Sequence, residues 1–170
     1  MQLGKAAGWA LGNRSQGRTD CMSLGIIGDG TSAEGDLHDT MNAISVWQLP
    51  TIVMVTDNGV AISTTPDEGR GIKSFEKYAE GFGVKFFTCD GSDFFDTYET
   101  TLACAKYVRD QQKPAFMHVV NLPRFNGHSS AADMTFDLGQ EDPLITFGAE
   151  LVKRGVLEDQ DIMRRVEGQG

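Results

Sequence analysis

The sequence has few cysteines and no closely spaced cysteine pair, which argues against a zinc site or a disulfide framework. Its 170 residues include only Cys21, Cys89 and Cys104, an odd number placed far apart in the chain. Zinc sites and thiol redox motifs usually bring two cysteines close together in sequence. This cysteine usage is typical of a reducing compartment, so we expect a cytoplasmic location.

Positive charge is also scarce, and long apolar runs are lacking. Lys and Arg number 15 against 24 Asp and Glu, giving a net charge of −9, and the basic residues are scattered. The chain therefore has no basic patch of the kind that binds nucleic acid, and a polyanionic ligand would need a bridging metal ion. No apolar run reaches membrane-span length, and the N-terminus lacks signal-peptide features, so we expect no membrane partner.

The length of the chain suits one hydrophobic core. Residues 1–170 are therefore expected to form a single domain, with 139–170 as a helical extension of it. The chain opens with a helical segment of small residues, which include Ala6, Ala7, Gly8 and Ala10. Because such a segment suits tight packing on a neighbour, we expect a domain that is incomplete at its N-terminus and an oligomer.

Strand and helix patterns alternate along the chain. Four short apolar runs bounded by turn residues predict buried strands at Met22–Ile27, Thr51–Thr56, Val84–Cys89 and Ala115–Leu122. Between them, two helical faces are predicted, one made of Leu37, Met41, Ile44 and Trp47 and the other of Phe94, Tyr98, Leu102 and Ala105, with Ser92 or Asp93 as N-cap. This alternation predicts an α/β fold, a mostly parallel sheet with helices on both faces.

Polar loops follow three of these strands, at 28–35, 57–71 and 123–138. In parallel sheets, ligands collect at the carboxyl ends of the strands. Gly28, Asp29 and Gly30 leave the first strand, and Asn58 follows the next strand, one crossover helix later. Glycine lets the backbone approach a phosphate closely, and a carboxylate beside phosphate needs a hard cation such as Mg²⁺ between them. The sequence therefore predicts a magnesium-assisted phosphate site at this edge.

Two segments, GDGTSAEGDLHDTMN and LPTIVMVTDNGVAIST, resemble the diphosphate-binding motif of thiamine diphosphate enzymes, specifically the α-subunit type of 2-oxo acid dehydrogenases. The resemblance runs from Gln2 to about Asp133 and implies the thiamine diphosphate-binding fold. It implies that Mg²⁺ is bound by the side chains of Asp29 and Asn58 and by the main-chain carbonyl of Val60. The cofactor contacts that it implies are Gly28, Asp29, Gly30, Thr31, Asn58, Val60, Ile62, Arg124 and His128.

The chain departs from the family pattern at two positions beside this site. The family often has Asn-Asn-Gly-Tyr where this chain has Asp57, Asn58, Gly59 and Val60. The metal ligand Asn58 is kept. Asp57 adds a negative charge near the site, and Val60 removes aromatic surface beside the cofactor, so a change in cofactor affinity is expected.

Histidines and a serine form a second group of candidates. By resemblance, the loop around Arg124 orders over bound cofactor, with His128 as the catalytic residue that assists acyl transfer. Ser129 matches a phosphorylation position of mitochondrial relatives, and a turn-capping hydroxyl is the alternative. His118 lies in a strand pattern and is interpreted as a satisfied core residue, while His38 stands where it could support the phosphate loop.

The resemblance implies oxidative decarboxylation of a 2-oxo acid and transfer of the acyl group to a lipoyl-bearing acyltransferase. It also implies a β-type partner that supplies the glutamate activating the cofactor, so the isolated chain is expected to be inactive. Two alternatives stay open, an acetoin dehydrogenase-type enzyme and a non-catalytic truncated homologue that acts as an assembly module. A dinucleotide-binding domain would need a GxGxxG turn, which GDGTSAEG does not provide.

Overall fold

The computed structural model describes residues 2–123 and 142–158, which form a four-stranded parallel sheet between helices. The strands are β1 Ser23–Gly28, β2 Thr51–Thr56, β3 Lys85–Asp90 and β4 Ala115–Val120. The helices are α1 Leu3–Ser15, α2 Gly35–Val46, α3 Pro66–Gly69, α4 Phe75–Gly81, α5 Phe94–Gln111 and α6 Pro143–Lys153. The predicted α/β architecture is thereby confirmed.

Strand order in the sheet is β1-β2-β4-β3, and every neighbouring pair is parallel. Gly28 lies opposite Thr56, and Thr56 lies opposite Val119 in the next strand. The carboxyl ends of three neighbouring strands therefore meet at one edge. The loops that follow β1, β2 and β4 begin there, which is the arrangement that the polar-loop pattern predicts.

Helices cover both faces of the sheet. On one face α1, α2 and α4 pack against the strands, and the residues buried between them include Leu3, Met41, Ile44, Val53, Val55, Phe75 and Phe116. On the other face α5 packs over β2, β3 and β4 with Cys104, Ala105 and Val108. Strands β2 and β4 are thus buried from both sides, as their continuous apolar sequences predict.

Two predicted helical faces need correction. In α5 the residues on the sheet are Cys104, Ala105 and Val108, whereas Phe94, Tyr98 and Leu102 are about half exposed. The sheet surface below already carries large side chains, so smaller helix residues let the two elements approach closely. In α2 the helix ends at Val46, and the chain turns away through a left-handed Gln48, so Trp47 leaves the buried face and is exposed.

One face of β1 is partly open. Leu24 and Ile26 point to the α5 side of the sheet and are each about half exposed, because α5 lies over the other three strands. Of the small residues in the opening segment, Ala6, Ala7 and Ala10 are buried in the core of this same domain, and Gly8 is exposed. The expected oligomer stays a prediction. Among the described helices, none is both long and apolar enough to span a bilayer.

Candidate functional site

Asp29 and the Asp57–Asn58 pair meet at the carboxyl edge of β1 and β2. Gly28 is paired with Thr56 in the sheet, and the Asp29 amide donates to the Thr56 carbonyl at 3.2 Å. The residues that follow each strand therefore stand beside one another. The prediction that the two motifs share one edge of the sheet agrees with this geometry.

Asp29 is a buried carboxylic acid, with only 6% of its surface exposed. The turn after it is a short 3-10 helix, Gly30–Ala33, in which the Ser32 hydroxyl donates to the Asp29 carbonyl. Burial, and then repulsion from Asp57, raise the pKa of Asp29 above its ordinary value, against the lowering effect of nearby amides and of Arg70. A cation beside this carboxylate would relieve that penalty.

Hydrogen bonds within residues 57–64 fix the loop after β2. The Asn58 side-chain oxygen accepts from the Val60 amide at 3.1 Å, which leaves its second lone pair available. Ala61 and Thr64 exchange two backbone hydrogen bonds, at 2.8 and 2.9 Å. Ile62, inside this turn, has a φ of 61°, an uncommon conformation for a β-branched residue, and is half exposed.

The loops after β1 and β2 touch each other. A Cβ placed on Gly30 would lie 2.5 Å from the Cβ of Ala61, closer than real side chains come. A cavity of about 210 Å³ lies between the two loops, and its lining includes Asp29, Gly30 and Arg70. Gly28 and Thr31 line a separate cavity of about 410 Å³. Of the cofactor contacts predicted at residues 28–31, Asp29 and Gly30 thus line one cavity, and Gly28 and Thr31 line the other.

We expect Gly30→Ala to lower the free energy of unfolding by about 1–3 kcal/mol, because the new methyl group must push residues 61–64 away from β1. Gly35→Ala is the matched control, since a Cβ there meets nothing within 4 Å. Urea unfolding of both variants checks the prediction. Equal stabilities for the two variants would show that the loops do not pack as described.

Asp57 adds a negative charge near Asp29, as the sequence predicts, but the structure pairs that charge. Its Oδ2 accepts from Arg70 at 3.2 Å and pairs with His118 Nε2 at 3.0 Å, and its Oδ1 accepts from the Gly59 amide at 2.8 Å. Burial alone would raise the pKa of Asp57, but the hydrogen bonds from His118, Gly59 and Arg70 outweigh it and hold that pKa below its ordinary value.

Of the two described histidines, His118 has the role that the sequence predicts, whereas His38 has different contacts. His118 is a satisfied, largely buried residue of β4, as predicted, because the ionised Asp57 accepts its hydrogen bond. His38 is exposed on α2 and contacts the rings of Phe82, at 5.3 Å between centroids, and Tyr78, at 6.5 Å. It therefore braces α2 against the α4 region, and no described contact joins it to the phosphate loop.

Arg124, His128 and Ser129 lie outside the described residues, so their predicted roles stay predictions.

Sequence reasoning misses Arg70, because an isolated arginine in a polar loop carries no pattern that reveals its distant partner. The signal that could have revealed it is Asp57 itself, because a buried carboxylate needs a positively charged partner.

The donor atoms at this edge suit a hard cation, although they do not form a cage. Among residues 2–123 and 142–158, no group of three His, Cys, Asp or Glu side chains is arranged to hold a metal ion. The predicted ligands are one carboxylate, one amide oxygen and one main-chain carbonyl, from Asp29, Asn58 and Val60. Mg²⁺ is commonly held by one or two carboxylates, with water and substrate phosphate completing its octahedron, so this donor set fits.

The chain matches the family described as Dehydrogenase E1 component over residues 1–167. It is 29% identical over 163 residues to the α subunit of acetoin:2,6-dichlorophenolindophenol oxidoreductase from Cupriavidus necator, a match that covers 91% of this chain and 48% of that protein. It is 29% identical over 167 residues to the 2-oxoisovalerate dehydrogenase α subunit of Bacillus subtilis, covering 94% of this chain and 50% of that protein.

A third relative is the α subunit of the pyruvate dehydrogenase E1 component from Rickettsia typhi. Identity is 29% over 128 residues, which covers 75% of this chain and 39% of the relative. The chain thus spans about half the length of the curated relatives that it matches. The names of these three proteins differ in substrate, so similarity alone does not choose among them.

Proposed function

Because this chain belongs to the Dehydrogenase E1 component family, we propose that it is the α-type part of a 2-oxo acid dehydrogenase and that it binds thiamine diphosphate with Mg²⁺. One observation carries the proposal. Asp29 is buried, its pKa is raised, and it stands beside the Asn58 turn at the carboxyl edge of a parallel sheet. A buried carboxylate in that position is costly unless a cation joins it.

In this proposal the ligands of Mg²⁺ are the Asp29 carboxylate, the Asn58 side-chain oxygen and the Val60 main-chain carbonyl. The amides around Gly28, Gly30 and Thr31 face the diphosphate, and Ile62 contacts the cofactor. Two features support it. Gly30 permits the close approach of the two loops, and Ile62 is held half exposed in a strained conformation next to them. Strained residues of this kind cluster at functional sites.

When bound, thiamine diphosphate supplies the reactive carbon at which a 2-oxo acid is decarboxylated. The residues of this chain bind the cofactor and balance its charge. We include His128 as the residue that moves a proton during acyl transfer, because an imidazole ordinarily titrates near neutral pH. Arg124 is included as a residue that holds the same loop, and Ser129 would be a phosphorylation site in it.

The proposed partners follow from the same family. A β-type subunit or domain would supply the glutamate that activates the cofactor, and a lipoyl-bearing acyltransferase would accept the acyl group. The chain is therefore proposed to be inactive alone and to work in an oligomer. The proposed location is cytoplasmic, which suits the three free cysteines Cys21, Cys89 and Cys104.

A second candidate is an acetoin dehydrogenase-type enzyme, favoured by the similarity to the Cupriavidus necator protein. Both candidates use the same cofactor site. A non-catalytic assembly module is the third alternative. Loss of Asp29 or Asn58 would favour it, but both residues are present and stand at one sheet edge.

The experiment that tests the function combines the full chain with a β-type subunit, thiamine diphosphate and Mg²⁺. Dichlorophenolindophenol serves as electron acceptor, and the substrates compared are pyruvate, 2-oxoisovalerate and acetoin. We expect dye reduction with one of the two 2-oxo acids, and none when the chain is omitted. Turnover of acetoin alone would favour the second candidate. Failure to bind the cofactor even with the β-type subunit present would favour the assembly module.

A further inference from the structure

Asp57 is fixed to the sheet through both its backbone and its side chain. Its amide donates to the Val119 carbonyl at 2.8 Å, and its own carbonyl accepts from the Leu122 amide at 3.3 Å. His118, in the same strand β4, pairs with its Oδ2. The position of this residue is therefore set mainly by β4 and the residues just after it, and the Gly59 amide adds one contact to its Oδ1.

Arg70 lies 13 residues further along and returns to that carboxylate. Its guanidinium donates to Asp57 Oδ2 at 3.2 Å and to the Ile72 carbonyl at 3.1 Å. The same group stands 4.5 Å from the ring centroid of the buried Phe75, a cation–π contact. A planar guanidinium can make these three contacts at once, which the ammonium of a lysine cannot do.

A second ion pair in the same segment provides a contrast. Lys73 and Asp67 are 2.9 Å apart, but their side chains are 65% and 92% exposed, whereas those of Arg70 and Asp57 are 14% and 12% exposed. Exposed pairs contribute little to stability, because water and salt screen them. A buried pair with several hydrogen bonds instead fixes the geometry of the groups around it.

Residues 58–69 therefore form a loop closed at both ends, and this loop carries Asn58, Val60 and Ile62. This loop touches the turn after β1, because Ala61 packs against Gly30. The pairing also offsets the charge of Asp57, so that in the proposed function Asp29 is the carboxylate left to bind the cation. We propose that Asp57 and Arg70 are positioning residues, a clasp that holds residues 58–69 against Asp29 in the geometry that cofactor binding needs.

This inference rests on the proposed function, and its first test does not depend on the cofactor. Hydrogen exchange followed by mass spectrometry is measured on the full chain and on Arg70→Met, with Lys73→Met as the matched control. We expect exchange in peptides covering residues 57–71 to become about tenfold faster in Arg70→Met, because hydrogen bonds to a buried charge are lost. Peptides from α1 and α5, and all peptides of Lys73→Met, are expected to stay unchanged.

The second test is thiamine diphosphate affinity in the presence of Mg²⁺. We expect it to fall about tenfold in Arg70→Met and not in Lys73→Met. Arg70→Lys, which keeps the charge, is expected to restore only part of the affinity. If Arg70→Met does not fold, Asp57→Asn takes its place. We then expect smaller changes in the same direction, in the exchange of residues 57–71 and in cofactor affinity. The amide of this variant removes the charge and also one of the two acceptor oxygens, so either Gly59 or Arg70 and His118 lose their acceptor.

Either of two results would overturn the clasp. One is exchange that rises equally throughout the chain, since that is the behaviour of a residue needed only for global stability. The other is a local rise in exchange without loss of affinity. If the wild-type chain failed to bind the cofactor even with a β-type partner, the proposed function would fall and the positioning role with it. The exchange pattern alone would still report whether Arg70 holds the loop.

Discussion

Phe116→Ala is expected to lower the free energy of unfolding by about 3–5 kcal/mol, a large part of the stability of an ordinary domain. Phe116 is fully buried near the start of β4. Its ring lies 5.4 Å from that of Phe75 and 6.1 Å from that of Phe86, so truncation empties the centre of an aromatic cluster. Urea unfolding measures the loss. The slope of the free energy of unfolding against urea concentration is expected to stay unchanged.

Leu102→Ala is the control for that variant. Leu102 belongs to the α5 face that the sequence predicts to be buried, but it is 53% exposed in the structure. Its truncation should cost about 1 kcal/mol or less, in proportion to the area that it buries. If Leu102→Ala destabilised the chain as much as Phe116→Ala, the assignment of the two α5 faces would be wrong.

Asp29→Asn is expected to weaken Mg²⁺-dependent binding of thiamine diphosphate by at least about 100-fold. Substitution of residues that only orient a metal ligand already costs roughly 10–100-fold, and Asp29 is proposed as a ligand itself. The amide has the same shape as the carboxylate but no charge. Calorimetric titration of the cofactor at a fixed, saturating Mg²⁺ concentration measures the change.

The same variant should be more stable than the wild-type chain when no divalent cation is present. The pKa of Asp29 is raised by burial and by Asp57, so the folded state holds this proton more tightly than the unfolded state does. Stability therefore falls as the pH rises through the pKa of the folded state, and at neutral pH the charged form is unfavourable. Lower stability of Asp29→Asn without metal would contradict the proposed electrostatics of the site.

The strands can be predicted from sequence because each is a short apolar run between turn residues. The predicted starts at Thr51 and Ala115 agree with the structure, and those at Met22 and Val84 are one residue early. Parallel strands with both faces buried leave such runs in the sequence, and the alternation with helices fixes their direction. The shared edge of the first motif and Asn58 follows from the same reasoning.

The short helices cannot be predicted in the same way. Helix α3 has four residues and α4 has seven, too few for a helical period to emerge from the sequence. Their start signals are nevertheless present. The Thr65 amide donates to the Glu68 carboxylate at 3.0 Å, and the Ser74 hydroxyl accepts from the Lys77 amide. Without a periodic segment behind them, such signals do not distinguish a helix start from an ordinary turn.

The orientation of α5 and the pairing of Arg70 are beyond the sequence for a different reason. Both depend on residues far away in the chain. Apolar residues occupy two sides of α5, and only the bulk of the strands beneath it decides which side is buried. Likewise, nothing near Arg70 in sequence indicates that its partner is Asp57.

A magnesium-dependent diphosphate site at the carboxyl edge of β1 and β2 is central to the proposed function. The most direct test is calorimetric titration of thiamine diphosphate into the wild-type chain, with Mg²⁺ and again after chelation, in the absence and presence of a β-type partner. We predict binding with Mg²⁺ that chelation abolishes. Binding that is equally strong without Mg²⁺, or no binding even with the partner present, would contradict the existence of this site.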